Sequence, residues 1–324
     1  MNIRCINYQR GWFFIESINE LYEIEGVSKV DVSIIIPCKN EVNNIKWTID
    51  SILGSKNHLK CEVIVVDDAS TDGSTEFLKS YISEDKYRDI ILIKANNIGA
   101  AAARNMGAKA AKGKYLFFFD AHVKVPDMWA DDLINTLEKA NASLVAPCIS
   151  DISNISSAGY GQTWNNELKI TWFSKKPKEG DEIPLAGGAA LGITRDAFDR
   201  IGGFDHLFQV WGKEDEEICL KAWLYGYRIV INPDVIIPHL FRNNFPYKVK
   251  AANVTYNTIC LACSHFGIER LKKVMDIVKA DYYFFTAASE IDRTSGLIVN
   301  QRNKYMKERV YGDDYFFKKF NVLF

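Results

Sequence analysis

A carboxylate and an imidazole follow one apolar run at a spacing that suits a shared metal ion. Asp120 and His122 flank Ala121 directly after the apolar run at 115–119. Alternate residues of an extended segment project to the same side, so both side chains can reach one ion. An oxygen ligand beside an imidazole nitrogen suits Mn²⁺ or a related divalent cation better than the all-oxygen cage of Ca²⁺. The competing interpretation is that Asp120 caps the next turn and His122 lies on the surface.

Polar residues also end two other apolar runs of the chain. The run at 32–36 leads into Pro37-Cys38-Lys39-Asn40-Glu41, and the run at 63–66 leads into Asp67-Asp68-Ala69-Ser70. Further apolar runs lie at 90–93 and 144–146, and helical patterns at 43–54, 74–82, 100–111 and 128–140 alternate with the runs. This alternation predicts an α/β fold with a doubly wound, mainly parallel sheet that is covered on both faces. Ligands of such sheets bind beyond the carboxyl ends of the strands, where these polar residues lie.

The composition is that of a globular protein. The chain has 324 residues, of which 48% are hydrophobic and 25% charged, with a formal net charge of −1. This balance excludes disorder, collagen and coiled coils, and it gives no basic footprint for nucleic acid. The sequence contains no stretch of about 18 apolar residues, and its start shows no leader pattern. These two observations predict a chain that has no membrane span and is located in the cytoplasm.

The seven cysteines and the glycines exclude several classes of site. An odd number of cysteines at scattered spacings predicts reduced thiols, and the Cys260-x-x-Cys263 pair is typical of a helix core. The first apolar run is not followed by Gly-x-Gly-x-x-Gly, which disfavours a dinucleotide-binding fold. The segment 107–114 approaches a P-loop but has one residue too many and is followed by Tyr115.

Taken together, an ordered series of motifs resembles the nucleotide-sugar glycosyltransferases of the GT-A fold, a Rossmann-like architecture. The series is Val32-Ser-Ile-Ile-Ile-Pro-Cys-Lys-Asn-Glu41, Val65-Val-Asp-Asp-Ala-Ser70, Asp120-Ala-His122, Ala186-Gly-Gly188, Trp211-Gly-Lys-Glu-Asp215 and His239-Leu-Phe-Arg242. Within that fold, which includes the family 2 enzymes, the chain looks most like the polypeptide N-acetylgalactosaminyltransferases. The resemblance covers residues 32–247. It implies a GT-A catalytic domain at 31–248, after a helical segment at 1–30 and before a helical extension at 249–324.

The resemblance also implies roles for individual residues. Asp120, His122 and His239 would hold Mn²⁺ or another divalent cation, which grips the diphosphate of a UDP-sugar donor. Around the nucleoside would lie Pro37, Glu41, Asp67, Asp68 and Arg104. Gly187 and Gly188 would let the backbone approach the donor sugar, Trp211 would cover it, and Glu214 would contact the sugar or the acceptor. Arg242 and Tyr247 match a flexible lid that reaches the pyrophosphate, where a metal and a cation stabilise the charge of the departing group.

Two features depart from the polypeptide transferases. Those enzymes retain anomeric configuration and carry Asn after the Glu of the Trp-Gly motif, whereas this chain has Glu214-Asp215. An acid pair resembles inverting family 2 enzymes, in which the Asp removes the acceptor proton, so we expect inversion with Asp215 as the base. The helical tail also does not look like the lectin domain of those transferases.

The expected reaction is transfer of a sugar from a UDP-sugar to a hydroxyl, either Ser or Thr of a peptide or protein, or a glycan. The alternatives are a polysaccharide-synthesising transferase, a catalytically silent nucleotide-sugar binder, and a nucleotidyltransferase. A silent copy has no chemical reason to keep Asp120, His122, His239 and Asp215 together. A nucleotidyltransferase would normally show a Gly-rich loop after the first strand, which is absent here.

Overall fold

The computed structural model describes residues 30–80, 87, 90–242 and 244–324. The helix predicted at 1–30 therefore lies almost entirely outside the described residues. The strands are β1 Val32–Cys38, β2 Cys61–Asp68, β3 Ile91–Ala95, β4 Tyr115–Phe119, β5 Leu144–Asp151, β6 Asn154–Gly159, β7 Gln162–Trp164, β8 Ile170–Trp172, β9 Ala190–Thr194 and β10 Ile229–His239. The helices are α1 Ile45–Gly54, α2 Glu76–Ser80, α3 Ala100–Ala110, α4 Trp129–Lys139, α5 Arg195–Ile201, α6 Glu214–Leu224, α7 Ala251–His265, α8 Ile268–Val278, α9 Phe284–Glu308 and α10 Asp313–Lys319.

One mixed, mostly parallel sheet organises the described part of the chain. Its strand order is β10-β5-β9-β4-β1-β2-β3, and β6 pairs with β5 beside this path. β1, β2, β3 and β4 run parallel, as do β5 and β10. The doubly wound α/β fold expected from the alternating runs is thus confirmed. The exceptions are β9, which runs antiparallel to both β4 and β5, and β6, which runs antiparallel to β5; neither was foreseen.

The sheet is covered on both faces, which explains the unbroken apolar runs of its strands. In β1, Ile34 and Ile36 join a core that includes Ile49 of α1 and Leu133 of α4. Ile35 points the other way, into the core that includes Phe118 and the apolar side of α6. Because successive side chains of a strand alternate between faces, a strand buried on both sides must be apolar at every position.

The chain after residue 250 is helical, and it shares a core with the sheet. Tyr256 and Ile259 of α7 belong to the same buried cluster as Leu116 and Phe118 of β4. Apolar side chains on both sides of residue 248 therefore pack together, while the division of the chain into domains stays a prediction.

The cysteines lie where the sequence predicts. Cys260 is fully buried in α7, Cys263 is partly buried one turn further on, and the cysteines of the described residues are unpaired. Among the described helices, none has both the length and the apolar character that crossing a bilayer requires.

Close packing of α3 on the sheet gives a first prediction. A Cβ added at Gly107 would lie 2.4 Å from Cγ2 of Ile35, a distance that forces α3 and β1 apart. We expect Gly107→Ala to lower the free energy of unfolding by about 1–3 kcal/mol, the usual effect of overpacking a core. The control is Gly296→Ala in α9, where a Cβ meets nothing within 4 Å and where Ala favours the helix. Urea unfolding measures both variants, and equal stability of the two would contradict the prediction.

Candidate functional site

A cavity of about 490 Å³ opens at the carboxyl ends of β1, β2 and β4. Its place follows the general rule for ligand sites of open α/β sheets, and its size suits a ligand of nucleotide dimensions. All but two of the residues that the sequence predicts for the site line this cavity, namely Pro37, Glu41, Asp68, Arg104, Asp120, His122, Gly188, Trp211, Glu214, Asp215, His239, Arg242 and Tyr247.

Three side chains in this cavity form a set that suits a metal ion. Asp120, His122 and His239 each offer one ligand atom, and these atoms lie within 4.8 Å of one another. His239 Nε2 is 3.4 Å from Asp120 Oδ2, and the two imidazole rings are 4.7 Å apart between centroids. Two imidazoles and one carboxylate form a donor set that fits a first-row divalent metal.

The backbone of β10 brings the two histidines together from distant parts of the chain. The N–H of Leu240 donates to the carbonyl of His122 over 3.1 Å, and the N–H of Lys124 donates to the carbonyl of Pro238 over 2.9 Å. Nδ1 of His239 is buried and has no hydrogen-bond partner among the described residues. The nitrogen of His239 that lies beside the carboxylate of Asp120 is Nε2, so this atom would bind the ion, and the donor set of one carboxylate and two imidazoles fits a divalent metal.

A buried guanidinium connects this metal-binding set to helix α6. Arg104 of α3 donates from Nη2 to Asp120 Oδ1 over 3.0 Å and from Nη1 to Glu214 Oε1 over 3.1 Å. Burial disfavours the charge on Asp120, but the contacts with His239 and the positive charge of Arg104 outweigh it and hold the pKa of Asp120 well below its usual range. Asp120 is therefore ionised, which is the form that binds a cation.

Asp215 lies in the first turn of α6, next to Glu214 in the chain. Gly188 makes room for it, because a Cβ at that position would lie 2.9 Å from Asp215 Oδ2. Burial, together with the nearby carboxylates of Glu216 and Glu214, raises the pKa of Asp215 to about 7. A carboxylate with a pKa near neutrality is better suited to accept a proton and release it again.

The two acids that end β2 have different surroundings. Asp68 lines the cavity and accepts hydrogen bonds from the N–H groups of Ile98 and Gly99 over 2.7 and 2.9 Å. Asp67 does not line the cavity. It is buried behind it, where it binds Thr75 over 2.6 Å and Lys94. The expected contact of Asp67 with a nucleoside is therefore replaced by a structural one, because Asp67 and Asp68 point to opposite faces of one strand.

Gly187 is the second predicted residue that does not line the cavity. A Cβ at Gly187 would lie 2.5 Å from the ring of Trp172, so the missing side chain makes room for that indole. The two glycines thus seat side chains of the chain itself, Trp172 and Asp215, beside the cavity. Sequence reasoning assigned no site role to Trp172 or to Gln162, which both line the cavity from the β7–β8 hairpin. The Trp-rich composition of this segment was the available signal.

Arg242, Phe245 and Tyr247 form the outer wall of the cavity. Arg242 Nη2 lies 2.6 Å from Nδ1 of His122 and also binds Glu41. Phe245 packs on Trp211 with ring centroids 4.6 Å apart, and Trp211 is 37% exposed. Trp211 therefore lies at the rim of the cavity and not in the core, and its contact with a donor sugar stays a prediction. Arg242 is thus in direct contact with His122, one of the three residues that suit a metal ion.

The loop that carries Trp211 is held from the C-terminal helices. The side-chain amide of Asn257 in α7 donates to the carbonyls of Gln209 and Gly212 over 2.9 and 2.8 Å. In the same loop, the N–H of Gly212 donates to Glu214 Oε2 over 2.7 Å. The position of Trp211 over the cavity thus depends on contacts made by α7 and α6.

Comparison with known families identifies this arrangement. Residues 33–202, slightly more than half of the chain, match the model of glycosyl transferase family 2. The chain belongs to glycosyl transferase family 2. Residues 172–242 of this family 2 chain also match a model described as the N-terminal domain of galactosyltransferase.

Curated relatives of this family 2 protein include polypeptide N-acetylgalactosaminyltransferases. Polypeptide N-acetylgalactosaminyltransferase 3 of Drosophila melanogaster is 30% identical over an alignment of 237 residues, and the match covers 66% of this chain and 35% of that protein. Polypeptide N-acetylgalactosaminyltransferase 5 of Caenorhabditis elegans is 28% identical over an alignment of 239 residues, and the match covers 67% of this chain and 38% of that protein. The chain spans little more than a third of the length of these relatives.

Solved structures confirm the GT-A fold of the family 2 chain. The match with the structure of GalNAc-T7 with UDP, GalNAc and Mn²⁺ covers 90% of this chain and 57% of the GalNAc-T7 chain, with a TM-score of 0.73 and 20% sequence identity. The match with TarS of S. aureus in complex with UDP-GlcNAc covers 79% of this chain and 73% of the TarS chain, with a TM-score of 0.54 and 16% sequence identity.

The bridging guanidinium of this family 2 protein gives a second prediction. Arg104→Met would leave Asp120 and Glu214 without their shared cation, and Glu214 is buried. Because removal of one partner leaves an uncompensated buried charge, we expect the free energy of unfolding to fall by about 3–5 kcal/mol. The control is Lys176→Met, whose partner Asp234 is solvent-exposed, with an expected change within about 0.5 kcal/mol. Guanidinium denaturation measures both, and a loss below about 1 kcal/mol for Arg104→Met would refute the assigned role.

Proposed function

We propose that this family 2 protein is a metal-dependent enzyme that transfers a sugar from a UDP-sugar to a hydroxyl, with inversion at the anomeric carbon. The observation that carries the proposal is the convergence in one cavity of Asp120, His122 and His239 with Asp215. The first three residues suit a cation that binds a diphosphate, and the fourth suits a general base.

The solved structures support the proposed donor and metal. The ligands of GalNAc-T7 are UDP, GalNAc and Mn²⁺, that of TarS is UDP-GlcNAc, and those of the mannosyltransferase PcManGT are GDP-Man and Mn²⁺. Each of these nucleotides carries a diphosphate, and two of the three structures hold Mn²⁺. We therefore infer Mn²⁺ as the metal, and UDP as the nucleotide because the chain also resembles the polypeptide transferases.

Donor binding would divide the cavity into two parts. Asp120, His122 and His239 would hold the metal, which when bound supplies a Lewis acid for the charge of the departing diphosphate. Arg242, already beside His122, would add a second positive charge to the diphosphate. The nucleoside would lie beside Pro37, Glu41 and Asp68, at the ends of β1 and β2. Arg104 would act through Asp120 and Glu214, since both arms of its guanidinium are already occupied.

Transfer would proceed by a single displacement. The carboxylate of Asp215 takes the proton of the acceptor hydroxyl, the hydroxyl oxygen forms a bond to the anomeric carbon, and the bond from that carbon to UDP breaks. Glu214, held by Arg104 and by the N–H of Gly212, would orient the sugar or the acceptor. Trp211 and Tyr247 would cover the reacting groups and exclude water.

The acceptor we propose is the hydroxyl of Ser or Thr in a peptide or protein, in keeping with the polypeptide transferases among the relatives. A glycan acceptor is the alternative. The exposed rings of Trp211, Phe241 and Phe245 at the cavity can stack on sugars as well as on peptide side chains. A catalytically silent binder would bind UDP without turnover, and release of UDP from a UDP-sugar distinguishes it from an enzyme.

The metal site gives the third prediction. We expect EDTA to abolish turnover and Mn²⁺ to restore it best. In calorimetric titrations, His122→Ala and His239→Ala should each weaken Mn²⁺-dependent UDP binding by roughly 10–100-fold or more, with little effect in EDTA. The control is His58→Ala, because His58 lies exposed on the surface beside Asp131. UDP affinity that is the same with and without Mn²⁺ in the unmodified protein would rule out the metal site.

The proposed base gives the fourth prediction. Asp215→Asn keeps the shape of the side chain and removes the proton acceptor, so we expect UDP binding to persist while turnover falls by roughly 10²-fold or more. The charged form of Asp215 is the active one and its pKa is raised to about 7, so kcat/KM should rise with pH through about pH 7 and fall below it. Calorimetric UDP titrations at each pH, with saturating Mn²⁺, separate this effect from protonation of the histidines.

Asp234→Asn provides the matched control for this prediction, since it makes the same chemical change at an exposed position. Its turnover should equal that of the unmodified protein. Nuclear magnetic resonance of the anomeric proton in the product tests the stereochemistry independently. An α-linked product from an α-linked donor, with little loss in Asp215→Asn, would assign Asp215 to a role other than base.

A further inference from the structure

A buried side-chain amide on the cavity wall has no internal partner. Gln162, the first residue of β7, is 6% exposed and lines the cavity. Its Oε1 atom is buried and accepts no hydrogen bond from the described residues. Its backbone N–H, by contrast, donates to the carbonyl of Leu185 over 2.8 Å. The backbone N–H of Gln162 is thus hydrogen-bonded, whereas its side-chain carbonyl is not. Buried polar groups without a hydrogen-bond partner are rare in folded proteins, so this one requires an explanation.

Two other polar side chains of the same hairpin are bonded within the protein. Trp164 donates from Nε1 to Glu216, and Asn165 Oδ1 accepts hydrogen bonds from the N–H groups of Glu167 and Lys169 over 2.8 and 3.0 Å. Gln162 therefore differs from these two neighbours. An apolar side chain of the same length would fill its place in the strand without an unpaired oxygen.

Packing contacts relate Gln162 to the proposed metal site. Gln162 pairs across the hairpin with Trp172. The indole of Trp172 meets the ring of Phe241 edge to face, with centroids 6.3 Å apart, and Phe241 in turn packs on His239 at 4.5 Å. The wall that carries Gln162 is thus continuous with the side chains around one proposed metal ligand.

The same wall is continuous with the proposed base. Trp172 fills the space beside Gly187, and the next residue, Gly188, makes room for Asp215. Gln162, Trp172 and Asp215 therefore line one side of the cavity, where the group in transfer would lie if the proposed function is correct. That group carries hydroxyls or amide N–H groups, the donors that an amide carbonyl accepts from.

We propose that Gln162 is a specificity-determining residue: a turn of its amide about the last side-chain bond, which breaks no hydrogen bond within the described residues, brings the carbonyl oxygen to the cavity, where it accepts a hydrogen bond from a hydroxyl or an amide N–H of the substrate. This inference rests on the proposed function. A site with a buried acceptor disfavours analogues that lack the matching donor, because the acceptor is then left unpaired. Two sources can supply this donor, the sugar of the UDP-sugar or the acceptor molecule, and the two arms of the experiment separate them.

The test variant is Gln162→Met, which keeps the length of the side chain and removes both polar atoms. UDP release is first measured with UDP-Glc, UDP-Gal, UDP-GlcNAc and UDP-GalNAc in the presence of Mn²⁺, with water as the acceptor. If the donor sugar supplies the hydrogen bond, kcat/KM for the preferred sugar falls by about tenfold and the preference among the four flattens. The melting temperature should stay the same or rise, since an unpaired buried oxygen is removed.

The second arm measures transfer to Ser/Thr peptides and to free sugars. If the acceptor supplies the hydrogen bond, UDP release into water is unchanged, and transfer to the acceptor that the unmodified protein prefers falls by about tenfold. Thr163→Val is the matched control, because Thr163 is the next residue of the same strand and does not line the cavity. It should leave both arms unchanged. Gln162→Asn, which withdraws the amide by one methylene, should show the same loss as Gln162→Met.

Unchanged selectivity of the active Gln162→Met variant in both arms would overturn the inference. A melting temperature several degrees below that of the unmodified protein would also overturn it, since this outcome would show a structural role for the amide. These results leave the proposed function intact. An unmodified protein that neither binds UDP with Mn²⁺ nor releases UDP from any of the four sugars would instead refute the proposed function, and the inference with it.

Discussion

The guanidinium of Arg104 is the interaction on which the site depends. It is 6% exposed, and it lies between Asp120, from the end of β4, and Glu214, from the start of α6. These two carboxylates come from segments almost a hundred residues apart, and without a cation between them they would repel each other in a poorly solvated place. One side chain thus positions both the metal-binding set and the helix that carries the proposed base.

Helix α6 shows how the surroundings assign different tasks to four consecutive acids. Glu214 is paired with Arg104, Glu216 with Lys213, and Glu217 with Lys221. For Asp215 the structure records no salt bridge within the described residues. Burial and the nearby carboxylates of Glu216 and Glu214 raise its pKa, whereas the pKa of Glu217 is lowered because Lys221 and His265 outweigh its burial. Neighbouring carboxylates with pKa values driven apart are typical of sites where one of them exchanges a proton.

The sequence was sufficient to predict the parallel part of the sheet and most of the cavity lining. Strand ends such as Glu41 and Asp68 meet at one edge of a parallel sheet, so their proximity follows from the fold class alone. The spacing of Asp120 and His122 likewise predicts a common direction. These features depend on the local chain and on general topology.

Other features depend on contacts between side chains distant in sequence, which no local pattern contains. The alternation rule shows that Asp67 and Asp68 point to opposite faces, but only the fold shows that Lys94 and Thr75 occupy the space beside Asp67. The tasks of Gly187 and Gly188 in seating Trp172 and Asp215 have the same origin. The antiparallel β9 was missed because its short apolar run does not encode a direction.

A buried ionic cluster between α6, α7 and α9 limits how the catalytic fold can be separated from its C-terminal helices. Glu217 binds Lys221 over 3.0 Å and His265 of α7 over 2.8 Å, and the ring of His265 stacks on Tyr305 of α9. Lys221 and Glu217 are paired within α6, and α7 and α9 bury this pair by covering that face of the helix. A graft of the sheet and its cavity onto another scaffold would therefore have to carry these helices along, because without them the buried apolar side chains beside the pair would be exposed to water.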